Sequence, residues 1–155
     1  MKDNSVTQLK TPRIHDITTD TETPPLFLAA ARVRSRFHNS VAYEGVRIAG
    51  LQQASYPNIQ PVINRLDPIA AYALARSLVE SFGWDILAEN IQLGTIEAVA
   101  ITRFLRFRDD VSIRISKTSE GSRLDIRSAS RLGISDFGTN AHRIELYIKR
   151  FNDSL

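Results

Sequence analysis

The feature that most constrains this chain is a strict two-residue alternation in its C-terminal half. Val111, Ile113 and Ile115 alternate with Ser112, Arg114 and Ser116. Leu124 and Ile126 then alternate with Arg123, Asp125 and Arg127. Successive side chains of a β-strand point to opposite faces, so this pattern dictates strands with one apolar and one polar face. Glu120, Gly121 and Ser122 supply the turn between them. Two earlier runs, 84–91 and 95–105, also read as strands, with a turn around 90–94. Arg108, Asp109 and Asp110 read as a tight polar turn before the fourth strand. Four consecutive strands with short turns predict an antiparallel meander.

Helical periodicity flanks the strands. Asp67 is a good N-cap and Pro68 a preferred first helical residue. Ala71, Leu74, Ala75, Leu78, Val79 and Phe82 then recur at spacings of three and four, and Gly83 ends the run. A last helix is expected over 139–151, with Phe137, Ala141, Ile144, Ile148 and Phe151 as its apolar stripe. The expected fold is α+β in two layers. A meander of four strands, or slightly more, carries the helices at 67–82 and 139–151 on one face.

The N-terminal third is less regular. Residues 1–23 are rich in Thr, Asp, Asn and Lys without a period, and read as a polar, flexible arm before one domain over 24–155. Pro24 and Pro25 favour an extended path. A short helix is expected within 26–36, with Leu26, Phe27, Ala30 and Val33 on one side. Residues 43–56 read as irregular because Gly45 and Gly50 interrupt them, and Pro57 and Pro61 bracket another extended run.

A chain of 155 residues with 43% hydrophobic and 24% charged residues is sufficient for one core. No stretch approaches the roughly 20 apolar residues that cross a bilayer, and the polar N-terminus has no signal-peptide core, so solubility is expected. The absence of cysteine excludes disulfides, zinc thiolates and a cysteine nucleophile. Net charge is only +3 and aspartates interleave the arginines, which argues against a nucleic-acid footprint.

Chemistry concentrates in 127–143, which packs three arginines, three serines, Asp136 and Asn140 into the passage from strand to helix. A helix N-terminus presents free N–H groups and partial positive charge. Arg127, Ser128, Ser130, Arg131, Asp136, Asn140 and Arg143 are therefore the candidate ligand-binding set, for a phosphate, a carboxylate or a lipid headgroup. The alternative is that Asp136 or Thr139 caps the helix while the arginines pair with Asp136, Asp109 and Asp110 as a structural lock. Asp109 and Asp110 are neighbours on the chain and would point to opposite sides of a strand, so a shared ligand is not expected of them.

Alternation also puts Glu97, Arg103, Arg114, Asp125 and Arg127 off the apolar face, where a solvated, ion-paired surface is expected. Asp109, Asp110, Glu97 and Arg114 are read as structural ion-pair residues. His15, His38 and His142 lack metal spacing. His15, Asp16 and Asp20 have some metal-ligand character, but they lie in the Thr-rich arm, where local turns explain the Thr and Asp residues more readily. A triad assembled from Ser128 or Ser130, His142 and Asp136 lacks the Gly-x-Ser-x-Gly elbow, and no phosphate loop or dinucleotide fingerprint is present. No metal or cofactor is assigned. An enzymatic role, as a hydrolase using the Asp, Arg and Ser cluster, and a structural interaction module remain as alternatives to a binding domain.

Three pieces carry a resemblance: the Ile-His-Asp-Ile-Thr-Thr-Asp run at 14–20 with Pro24 and Pro25; Tyr56 and Pro57 leading to the Asp67 helix, Gly83 and Trp84; and Ile96 to Ala98, the stretch 107–111 and the block 127–144. Together they resemble the bacterial family known as domain of unknown function 1499, over 14–151. The resemblance implies no catalytic roles. It implies relatives that often carry membrane-spanning segments ahead of the matching stretch, some of them in chloroplasts, so cytoplasmic and membrane-attached placements both stay open. An anionic small molecule or a membrane surface is the partner class this leaves.

Overall fold

The computed structural model describes residues 12–155. Its strands are β1 (Asp16–Thr18), β2 (Val62–Asn64), β3 (Asp85–Asn90), β4 (Thr95–Ile101), β5 (Arg108–Lys117) and β6 (Ser122–Ser130). Its helices are α1 (Ala29–Val33), α2 (Val46–Ser55), α3 (Pro68–Ser81) and α4 (Thr139–Asp153). All six strands join one antiparallel sheet in the order β1, β6, β5, β4, β3, and β2 shares with β1 the outer edge of β6. The meander expected from alternation is β3 to β6, and the fold is α+β as anticipated.

Register shows why one sheet face is core. Ile96, Ala98 and Ala100 of β4 lie opposite Ile113, Val111 and Asp109 of β5, and Ile113 and Ile115 lie opposite Ile126 and Leu124 of β6. These apolar side chains are buried beneath Ala71, Ala75, Leu78 and Val79 of α3 and Ala141, Ile144, Tyr147 and Phe151 of α4. Tyr147 binds the two helices together: its hydroxyl donates to the Ala75 carbonyl at 2.8 Å. Asp67 caps α3 by accepting from the N–H groups of Ile69 and Ala70. At the β3–β4 turn a side chain is forbidden, because a Cβ on Gly94, whose φ is +67°, would lie 2.2 Å from the Ile115 carbonyl oxygen.

Four expectations need correction. Within the described part of the expected arm, Ile14 and Ile17 enter the core and Asp16–Thr18 is an edge strand on β6. Its polar residues are buried because their partners are internal. Residues 46–55 are helical despite Gly50. Ile48 and Gln52, four apart, face inward, and the Gln52 amide pairs with both the N–H and the carbonyl of Thr18, closing the free edge of β1. Arg108, Asp109 and Asp110 belong to β5, and the turn is at 102–107, so the strand expected to reach 105 ends at Ile101. Phe137 is not part of the α4 stripe: it precedes the helix, has a φ of +53° and is exposed.

The largest correction concerns the polar sheet face. Residues 20–44, including α1, lie over it. Glu97, Asp110, Ser112, Asp125 and Arg127 are all buried there rather than solvated. Polar groups survive burial only when paired, and here the strap supplies the partners. Ser112 donates to the Leu26 carbonyl, Arg114 to that of Thr23, and Arg127 to those of Pro25 and Val41. Glu97 accepts from the N–H groups of Leu28, Ala29 and Ala30 at 2.8–3.0 Å and so terminates α1 with a buried carboxylate. Of the side expected for α1, Phe27 and Ala30 are buried, whereas Leu26 and Val33 are exposed.

Candidate functional site

The alternation that builds β6 splits the arginine-rich segment between the two faces of the sheet. Ser128 and Ser130 point to the helix side, and Arg127 points to the strap side. The candidate residues therefore form two clusters, not one.

On the strap side, Arg127 meets Asp16 with two prongs, Nε to Oδ1 at 2.9 Å and Nη2 to Oδ2 at 2.7 Å. Its guanidinium carbon sits 4.4 Å from the centroid of the Phe27 ring and 5.5 Å from that of Tyr43. Burial, and after it the charge of Asp16, push the Tyr43 hydroxyl up to about 12, while Arg127 acts in the opposite direction. Arg131 grips both oxygens of Asp110, with Nη2 to Oδ1 at 2.7 Å, and Arg34 reaches the same carboxylate at 2.7 Å. At the other end of this face Arg114 and Arg123 both reach Asp20 and Asp125. Although partial burial raises its pKa, Asp20 lies net below the usual carboxylate range, because the N–H groups of Thr23 and Glu22 and the two arginines favour its charge.

On the helix side, Arg143 donates to Asp109 at 2.7 Å, to Ser128 Oγ at 2.9 Å and to Asn140 Oδ1 at 2.7 Å. Ser128 also donates to Asn140 Oδ1, and the Asn140 amide donates to Ser130 Oγ. Asp136 accepts from the N–H groups of Gly138 and Asn140, so it caps α4 in the way the sequence allowed. Asp109 and Asp110 do point to opposite faces, each with its own arginine. Of the four residues read as structural ion-pair groups, Asp109, Asp110 and Arg114 are paired so, while Glu97 holds backbone N–H groups instead.

The other sequence candidates are placed apart. His142 lies on the exposed side of α4, and the hydroxyls of Ser128 and Ser130 bond to Asn140 and Arg143, so the paper triad does not assemble. His15 faces Glu44, with Nε2 3.8 Å from Oε1, while Asp16 is held by Arg127. Asp20 closes a local turn through Glu22 and Thr23. Among the described residues no three His, Asp or Glu side chains converge as metal ligands.

Beside the helix-side cluster opens a cleft of about 400 Å³, between the loop 102–107 and the loop 131–138. Its walls are Phe104, Leu105, Phe107, Leu132 and Phe137; Asp109 and Ser130 line it below, and Arg103 stands on its lining. The walls are apolar side chains that stay exposed. The sequence pattern hides them, because it extends a strand over Phe104 and Leu105 and a helix stripe to Phe137, whereas β4 ends at Ile101 and α4 starts at Thr139. The available signal was the loss of alternation: two adjacent large apolar residues between Arg103 and Arg106 fit no two-residue period.

No helix among the described residues is long and apolar enough to cross a membrane. No curated protein matches the chain. Residues 16–151 match the model of the family described as Protein of unknown function (DUF1499), and the chain belongs to that family.

Proposed function

We propose that this member of the family is a non-catalytic binding domain whose site is the apolar cleft between the loops 102–107 and 131–138. The observation that carries this reading is a division of labour. The guanidiniums of Arg127, Arg131 and Arg143 are each engaged by an aspartate, whereas the cleft walls are apolar side chains left without partners. Ligand sites are concave and mainly apolar, with a few polar groups that orient the ligand. Arg103, exposed, on the cleft lining and without an ion pair among the described residues, supplies the orienting charge. The ligand class is therefore an amphiphile, with an apolar body between Phe104 and Phe137 and an acidic end at Arg103. Of the candidate residues within 127–143, Ser130 and Asp136 line this cleft. Ser128, Asn140 and Arg143 support it from behind.

Titration of the isotope-labelled chain with decanoate below its micelle concentration tests the reading. Saturable amide shifts confined to the two loops and to the first turn of α4 are expected, with a weaker response to decanol. Shifts absent from both loops would overturn it.

A further inference from the structure

Resting on that reading of the cleft, we infer that this end of the molecule docks on a lipid bilayer that carries anionic headgroups. Three loops meet there. The loop 102–107 joins β4 to β5, and the loop 131–138 follows β6. The loop 34–39 is held to the second by Asn39, whose N–H donates to the Arg131 carbonyl at 2.7 Å and whose amide reaches Ser130 and Gly133. Each loop presents large apolar side chains to solvent: Phe104 is 91% exposed, Phe137 82% and Phe37 76%, with Leu105, Leu132 and Ile134 beside them. Large exposed apolar side chains gathered on adjoining loops, beyond single scattered ones, mark an interaction site.

Charge selects the partner. Arg36, Arg103 and Arg106 on these loops, and Arg108 at the start of β5, are exposed and form no ion pair among the described residues. The two other arginines of the loops, Arg34 and Arg131, are consumed by Asp110. The one carboxylate in the three loops, Asp136, is spent on the N–H groups of Gly138 and Asn140. The end of the molecule that carries the apolar tips thus also carries free guanidiniums, with no counter-charge in the loops. That is the pairing of apolar insertion and cationic attraction that holds a protein in the plane of an anionic interface.

The shape favours a bilayer over a protein. The exposed apolar groups sit on three adjoining loops, two of which also carry unpaired, exposed arginines. A fluid interface accommodates apolar groups so placed and brings phosphates to each arginine, whereas a protein partner needs matching hollows. The loop backbone is also constrained: Arg106 and Phe137 both have positive φ, +57° and +53°, a conformation side chains rarely adopt and one that recurs where a site requires it.

The test is flotation of the full chain with vesicles of phosphatidylcholine alone and of phosphatidylcholine with about 30% phosphatidylglycerol. Binding at least about tenfold tighter to the anionic vesicles, and weakened by added salt, is expected. Phe37→Ser and Arg106→Gln each lie outside the cleft. Each should weaken flotation severalfold while circular dichroism and the decanoate titration stay unchanged. No flotation with either vesicle overturns the docking inference. If decanoate still shifts the loops in that case, the cleft reading stands without it, and if it does not, both fall. Binding of a single-stranded oligonucleotide that is lost in the same two variants, with no flotation, overturns the bilayer in favour of nucleic acid.

Discussion

Arg127 and Asp16 are 111 residues apart in sequence and meet as a buried two-pronged ion pair across the β6–β1 boundary. The pair is roofed by Phe27 and Tyr43. Bidentate geometry is something a lysine cannot reproduce, since its ammonium is a point charge with no planar fork. Breaking one side of a buried pair leaves an uncompensated charge and costs about 3–5 kcal/mol. Asp16→Asn is expected to lower unfolding free energy by an amount in that range, and Arg127→Lys, which keeps the charge and loses the fork, by about 1–3 kcal/mol. Urea denaturation followed by circular dichroism measures it. A loss below about 1 kcal/mol in both variants would mean that the pair is solvated.

Tyr43 gives the fold an alkaline edge. Its pKa is raised to about 12 in the folded chain, from an ordinary value of about 10, so the neutral form is the one the fold prefers. The resulting stability is complete below pH 10 and is lost as pH rises from about 10 through about 12. Tyr56, Tyr72 and Tyr147 are raised as well, each first by burial, so the difference between the parent and Tyr43→Phe isolates this one group. The Tyr43 hydroxyl has no hydrogen-bond partner among the described residues, so the substitution is expected to cost under about 1 kcal/mol at neutral pH. Thermal melts across pH 8–12 should show a shallower decline in Tyr43→Phe. Parallel curves would place the hydroxyl in water.

Glu97 reaches through the sheet's strap side to cap α1, whose own N-cap position, Leu28, has no side chain able to do so. Glu97→Gln keeps one acceptor oxygen and loses the charge that favours a helix N-terminus, and Glu97→Ala loses both. Losses of about 1 kcal/mol and about 2–3 kcal/mol are expected in that order. Amide hydrogen exchange should localise the added opening to 27–31. Uniform exchange across the whole chain would show that the strap unfolds only with the core.

The helix-bearing half of the fold was legible because its signals are local. Val111 to Ile115 state their faces residue by residue, and Asp67 and Pro68 mark where α3 starts. The strap side was illegible for a physical reason. Asp16, Glu97, Asp110 and Arg127 have the composition of a wet surface, and what buries them is pairing with residues up to 111 positions away. Nothing in a strand's own sequence distinguishes a charge that faces water from one that faces a distant partner. The same limit governed the site. The segment 127–143 stands out in the sequence for its density of polar and charged groups, yet period-two geometry sends Arg127 and Ser128 to opposite sides. That step was available from the sequence once 122–130 was taken as one strand. The apolar cleft was less accessible, since Phe104 and Phe137 look like core residues until the loops place them outside it.

The Arg143–Asp109 pair separates the two roles that the cluster at 127–143 allows. If it is a lock between α4 and β5, its energy is mutual, and removing both charges with apolar residues of similar size should recover much of what either single removal costs. Arg143→Met alone leaves Asp109 charged at the edge of the cleft, and Asp109→Leu alone leaves the guanidinium facing only Ser128 and Asn140. Each single variant is expected to lose about 2–4 kcal/mol, with a coupling energy of about 1–3 kcal/mol in the double-mutant cycle. A coupling near zero, together with decanoate affinity that falls in Arg143→Met beyond what its lost stability explains, would make Arg143 a ligand group and not a lock.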